Sequence, residues 1–132
     1  MIVAFITADL VFPSRIAGIT NQLGAPLITA PNFDVLAAKL NEAPEIALAV
    51  IDLNSPGADP AAIVPRLQSL GNPPKFIVAF GPHVHEAKLE AARTAGCNLV
   101  LTRGQFDAQY ARLIADSIAN MAESEKPAKP SE

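Results

Sequence analysis

Five short apolar runs, at residues 2–7, 26–30, 46–53, 76–80 and 98–102, alternate along the chain with segments patterned for helix. Three of them, "IVAFIT", "IALAVIDL" and "FIVAF", are nearly unbroken in Val, Ile, Leu, Ala and Phe. A strand with one wet face alternates apolar and polar residues, whereas an unbroken run needs both faces covered. Five such units in βα order predict an α/β fold: an open parallel sheet with right-handed crossovers, sandwiched between two helical layers.

The crossovers carry their own start and stop signals. Pro13 opens the first helix, Ile16, Ile19, Thr20 and Leu23 follow at helical spacing, and Gly24 ends it. Asn32 or Asp34 caps the second, with Leu36 and Leu40 on one face. Asp59 and Pro60 begin the third, Ile63, Leu67 and Leu70 line its inner face, and Gly71 closes it. Pro65 is expected to kink or delay that helix, because it removes an internal hydrogen bond. The fourth is expected to bury Ala87, Leu89, Ala91, Ala92 and Ala95, and the fifth Phe106, Tyr110, Leu113, Ile114, Ile118 and Met121. The pattern predicts one domain over residues 1–122 and a polar, proline-bearing tail over 123–132, with no internal repeat.

Composition narrows the function classes. With 132 residues, 50% apolar and 17% charged, the chain suits a single buried core. A net charge of −3 with scattered basic residues argues against a nucleic-acid or anionic-membrane surface. The apolar N-terminus lacks a basic leader and is interrupted by Asp9 short of the roughly 20 residues a membrane span needs. Its lone Cys97 fits a reducing compartment, so the chain reads as soluble and cytoplasmic.

Pockets in such sheets form beyond the carboxyl ends of the strands. Those ends carry Asp9, Asp52, the "FGPH" segment with Gly81 and His83, and Thr102–Arg103. Two carboxylates favour a hard divalent cation such as Mg²⁺. With a permanent cation beside them, they are also a setting for phosphoryl chemistry on an aspartate.

The spacing of Asp9, the "DLNSP" turn from Asp52 to Pro56, "AARTAGCNLVL" and Arg103 resembles the receiver domain of bacterial response regulators over residues 1 to 120. The resemblance implies a flavodoxin-like sheet in the order 2-1-3-4-5. It makes Asp52 the counterpart of the phosphoacceptor and Asp9 that of one of two metal-binding acids. Asn54 takes the position whose backbone carbonyl completes the metal shell, and Arg103 the place of the lysine that contacts the phosphate.

The departures are as telling. Ala8 stands where the other acid would be, no Ser or Thr is found among Ala79, Phe80 and Gly81, Lys-Pro is replaced by Arg103-Gly104, and Val100 or its neighbour replaces an aromatic. Such a chain resembles an atypical, or pseudo-, receiver. The "FGPHV" and "AGCNLVLTRGQF" segments are similar to a set of receiver-like proteins, which implies a fold and not a reaction.

Three readings follow. The preferred one is a non-enzymatic signalling module without a full phosphorylation cycle, in which an Arg103–Asp52 ion pair locks the loop of the fifth strand to the third. It would act through the face of helix 4, strand 5 and helix 5, around Leu89, Arg93, Tyr110 and Arg112, on a protein partner or its own copy. The second is a phosphorelay regulator that takes a phosphoryl group on Asp52 from a histidine kinase, with Mg²⁺. The third is a small-ligand or metal site of Asp9, Asp52 and His83. His85 is expected to face solvent at a helix start, and Cys97 to be a packed residue. No dinucleotide-binding glycine fingerprint and no nucleophile elbow is present.

Overall fold

The computed structural model describes residues 1–40 and 45–125. Five βα units follow one another: β1 (Ile2–Ile6), α1 (Phe12–Gln22), β2 (Leu27–Ala30), α2 (Phe33–Lys39), β3 (Ile46–Asp52), α3 (Pro60–Gln68), β4 (Ile77–Gly81), α4 (Glu86–Ala95), β5 (Leu99–Thr102) and α5 (Arg103–Glu125). All pairings are parallel and the strand order is β2-β1-β3-β4-β5, as the resemblance implies.

Each apolar run became a strand, with ends within a residue or so of those expected. β1, β3 and β4 are buried at every position, which is why their sequences do not alternate. Along β4, Ile77 and Ala79 face α2, α3 and α4, while Val78 and Phe80 face α1 and α5. The alternation slips at Ala47 and Leu48, which face the same layer. Here the β1–β3 register shifts, so that Ile2 pairs with Ile46 and Val3 with Leu48.

Helix boundaries follow local chemistry. The Asn32 side chain accepts the Val35 N–H and Asp59 that of Ala61, so Asn32 is the cap of α2. α3 continues through Pro65 without a break. Pro65 is exposed, as is Ala61, whose carbonyl loses its partner, so solvent can satisfy it. The helix ends at Gln68, before Gly71. Ala87 is exposed and Ala91 and Ala95 are half-buried, so Leu89 and Ala92 are the buried anchors of α4, with Ala95 packed at the edge of the same cluster. α5 runs past residue 122 to Glu125, and residues 126–132 lie outside the described residues.

β5 passes straight into α5 through a reciprocal cap. The Gln105 N–H donates to Thr102 Oγ1 at 3.2 Å, and the Thr102 N–H donates to Gln105 Oε1 at 2.9 Å. This is a capping box, and it satisfies an orphan N–H at each end of the turn. Thr102→Ala is expected to cost about 1 kcal/mol in urea unfolding. Gln105→Ala is expected to lower the midpoint in the same direction, because it breaks the other half.

Candidate functional site: an enclosed carboxylate at the end of β3

Asp52 is the last residue of β3 and is only 6% exposed. The β1–β3 register pairs Ile6 with Ile51, which sets Thr7 level with Asp52. The Thr7 hydroxyl donates to Asp52 Oδ2 at 2.8 Å, and the Ser55 hydroxyl donates to the same oxygen at 3.2 Å. The Asn54 N–H donates to Oδ1 at 3.0 Å. Both hydroxyls are held from behind: the Asp9 N–H donates to Thr7 Oγ1 at 3.0 Å and the Ala8 N–H to Ser55 Oγ at 2.7 Å. The β1–α1 and β3–α3 loops are therefore stitched together through one carboxylate.

Asp9 serves a different purpose. Its Oδ1 accepts the Val11 N–H at 2.8 Å and the Phe12 N–H at 3.2 Å, where α1 begins. The Val11 and Phe12 hydrogen bonds hold its carboxyl below the usual aspartate value, and the positive charge of Arg103 acts in the same direction.

The expected Arg103–Asp52 ion pair is not made. Arg103 Nε binds Asp107 Oδ1 at 3.0 Å, one turn along α5. Its guanidinium lies 4.4 Å from the centre of the Phe12 ring and 5.5 Å from that of Phe80. A neighbour at i+4 and two ring faces satisfy a guanidinium at less cost than a carboxylate already enclosed by hydroxyls. Beneath Arg103, Phe80 and Phe106 stack at 4.2 Å between centroids and 11° between planes, with Phe5, Phe12 and Tyr110 around them.

Other expected residues are dispersed. His83 is exposed and lines a groove of about 650 Å³ between α4 and β5, with Glu86, Glu90, Arg93 and Thr102. Asp9 and Asp52 do not line it. Among the described residues no three His, Cys, Asp or Glu side chains come together to hold a metal ion. His85 is half-buried at the N-cap of α4 and does not face solvent as expected. Burial pushes the Cys97 thiol up to about 11, so it stays protonated at neutral pH.

Of the expected contact residues, Leu89 is 5% exposed in the core, and Tyr110 is half-buried against Phe12 and Phe106. Neither is a free contact side chain. Arg93 pairs with Glu90 at 3.1 Å, and Arg112 lies 3.7 Å from Asp116 with most of its side chain in water. Thr7 and Ser55 are the site residues that sequence reading missed. Their signal was a hydroxyl at the end of β1 and another three residues after Asp52.

No family model matches the chain, and no curated protein matches it. Solved structures do. The receiver domain of the sensor histidine kinase PA1611 from Pseudomonas aeruginosa, determined with magnesium in its active-site cleft, superposes with a TM-score of 0.67 at 17% identity, covering 89% of this chain and 96% of that one. A signal receiver domain from Bermanella marisrubri gives 0.71 at 21% identity, covering 88% and 96%. The receiver domain of NtrX from Brucella abortus gives 0.64 at 20% identity, again covering 88% and 96%. The fold is that of a receiver domain. At these identities the likeness is one of fold.

A receiver fold implies Mg²⁺, and the donors here fit it poorly, because the carboxylate at the centre of the site is already held by three protein hydrogens. A hard cation is held by several free oxygens, carboxylates first among them. Both oxygens of Asp52 already accept protein hydrogens, Asp9 Oδ1 is committed to the start of α1, and Ala8 offers no side-chain oxygen. The residue facing Asp52 across the sheet is a threonine, whose hydroxyl hydrogen points at the carboxylate.

Proposed function

We propose that the chain is a receiver-type signalling module that acts by protein–protein contact and does not run a full phosphorylation cycle. One observation carries the reading: Asp52, the counterpart of the phosphoacceptor, is enclosed, with Oδ2 accepting from the hydroxyls of Thr7 and Ser55 and Oδ1 from the amide of Asn54. A nucleophilic carboxylate must present a free oxygen to the phosphorus, and neutralising the developing charge takes a nearby cation. Arg103, which would supply it, is tethered to Asp107 and stacked on Phe12.

The contact surface favoured by exposure combines the face of α4, β5 and α5, with Arg93 and Arg112, and the lip of the sheet. At that lip Leu10 is 93% exposed, and Val11 and Val84 are each 70% exposed. Large apolar side chains held in water beside a site are the ordinary mark of a protein contact. The partner is a second protein, a histidine kinase among the candidates, or a second copy of this chain. Among the described residues no helix is long and apolar enough to cross a membrane.

Incubation with acetyl phosphate and Mg²⁺, followed by intact-mass measurement, tests the reading. The wild type is expected to gain no phosphoryl mass. A gain that vanishes in Asp52→Asn would establish the phosphorelay alternative in its place.

A further inference from the structure

We propose that Thr7 and Ser55 are a built-in substitute for a bound cation at Asp52, and that Thr7 is the position that sets this cleft against divalent metal. The inference concerns the same carboxylate and rests on the reading of the module as one without a phosphorylation cycle.

A carboxylate taken out of water must be satisfied either by cations or by hydrogen-bond donors. Here the donors are all neutral: two hydroxyls and one amide. Each hydroxyl accepts a backbone N–H, from Asp9 or from Ala8, and so is oriented to give its own hydrogen to Asp52. A cation approaching Oδ2 would meet those two hydrogens and would have to displace both hydroxyl bonds to reach the oxygen.

The alternative arrangement would set a second carboxylate directly beside Asp52, because a hard divalent ion is held by carboxylate oxygens, and Asp9 instead turns Oδ1 to the start of α1. One residue beyond the Ile6–Ile51 pair, the residue level with Asp52 is Thr7 and not Ala8, the position expected from the sequence. What a metal would do mechanically, tying the β1–α1 loop to the β3–α3 loop, the Ala8–Ser55–Asp52 and Asp9–Thr7–Asp52 chains of hydrogen bonds do without it.

The test is thermal unfolding and titration calorimetry of the full chain with MgCl₂ and MnCl₂, on the wild type, Thr7→Val and Thr7→Asp. The wild type is expected to show no cation-dependent shift of its midpoint and no binding heat. Thr7→Val keeps the shape and removes the donor; its midpoint is expected to fall by a few degrees, with no cation response. Thr7→Asp places two carboxylates side by side. It is expected to lose stability in chelator and regain it with Mn²⁺, which should bind at least about tenfold more tightly than to the wild type.

A midpoint that rises with Mg²⁺ in the wild type would overturn the inference. So would a Thr7→Val variant as stable as the wild type, or a folded Thr7→Asp variant indifferent to both cations. If Thr7→Asp does not fold, the wild-type titration and Thr7→Val decide. A wild type that binds Mg²⁺ yet takes no phosphoryl group defeats this inference and leaves the contact reading standing. Phosphoryl mass on Asp52 defeats the contact reading itself.

Discussion

Phe106→Ala is expected to lower stability by about 3–5 kcal/mol, the usual cost of emptying a buried aromatic site. The ring is 1% exposed and stacks on Phe80 and Tyr110, with a tilted contact to Phe12, none of which alanine can replace. These rings and Phe5 are four of the chain's six phenylalanines and its one tyrosine, so the layer of α1 and α5 has little else of that size to close the gap. The loss should appear in urea unfolding as a lower midpoint at unchanged slope. Phe106→Leu, which refills most of the volume, should recover more than half of it. A Phe106→Ala protein within 1 kcal/mol of wild type, the scale of a tolerated isosteric swap, would mean that the stack is not a cornerstone of this layer.

Asp52→Ala is expected to cost about 2–4 kcal/mol, because one substitution strands the Thr7 and Ser55 hydroxyls and the Asn54 amide together. Asp52→Asn should cost about 1 kcal/mol, since a carboxamide oxygen still accepts and a rotated hydroxyl can accept from its NH₂ group. The order matters more than either value. A carboxylate kept for chemistry in an unsatisfied pocket is a source of strain, so its removal stabilises; a carboxylate that serves as a hub destabilises when lost. Equilibrium unfolding of both variants therefore reports on function as well as on folding. Asp52→Ala at or above wild-type stability would argue for a site held ready for reaction.

The fold was legible because its evidence is local. Runs such as "IALAVIDL" need no knowledge of neighbours to show that both faces are covered, and Asn32, Asp59–Pro60 and Gly96 punctuate the helices within a few residues. Where reading failed, the deciding interaction was tertiary or competitive. Thr7 looked like the end of a strand, and only the pairing of Ile6 with Ile51 turns it toward Asp52. Arg103 was read as the partner of a distant carboxylate because Asp107, at i+4, was not weighed against it. The Thr102–Gln105 capping box was present in the sequence as T-x-x-Q and could have been found. The alanines of α4 suit close approach to the sheet, and Ala92 is buried there, but small side chains bury little area and do not by themselves orient a helix, so Ala87 stays exposed.

The glycine at the end of β4 bears on how this chain could change. A Cβ added at Gly81 would lie 3.2 Å from Leu53 Cβ, an atom that every residue except glycine carries. Trimming Leu53 therefore leaves the obstruction in place, and relief requires the two backbones, joined by the Leu53 N–H to Phe80 carbonyl bond at 2.8 Å, to move apart. Placing a serine or threonine at Gly81 thus asks the seam between β3 and β4 to give by a few tenths of an ångström before any new hydroxyl can serve the site.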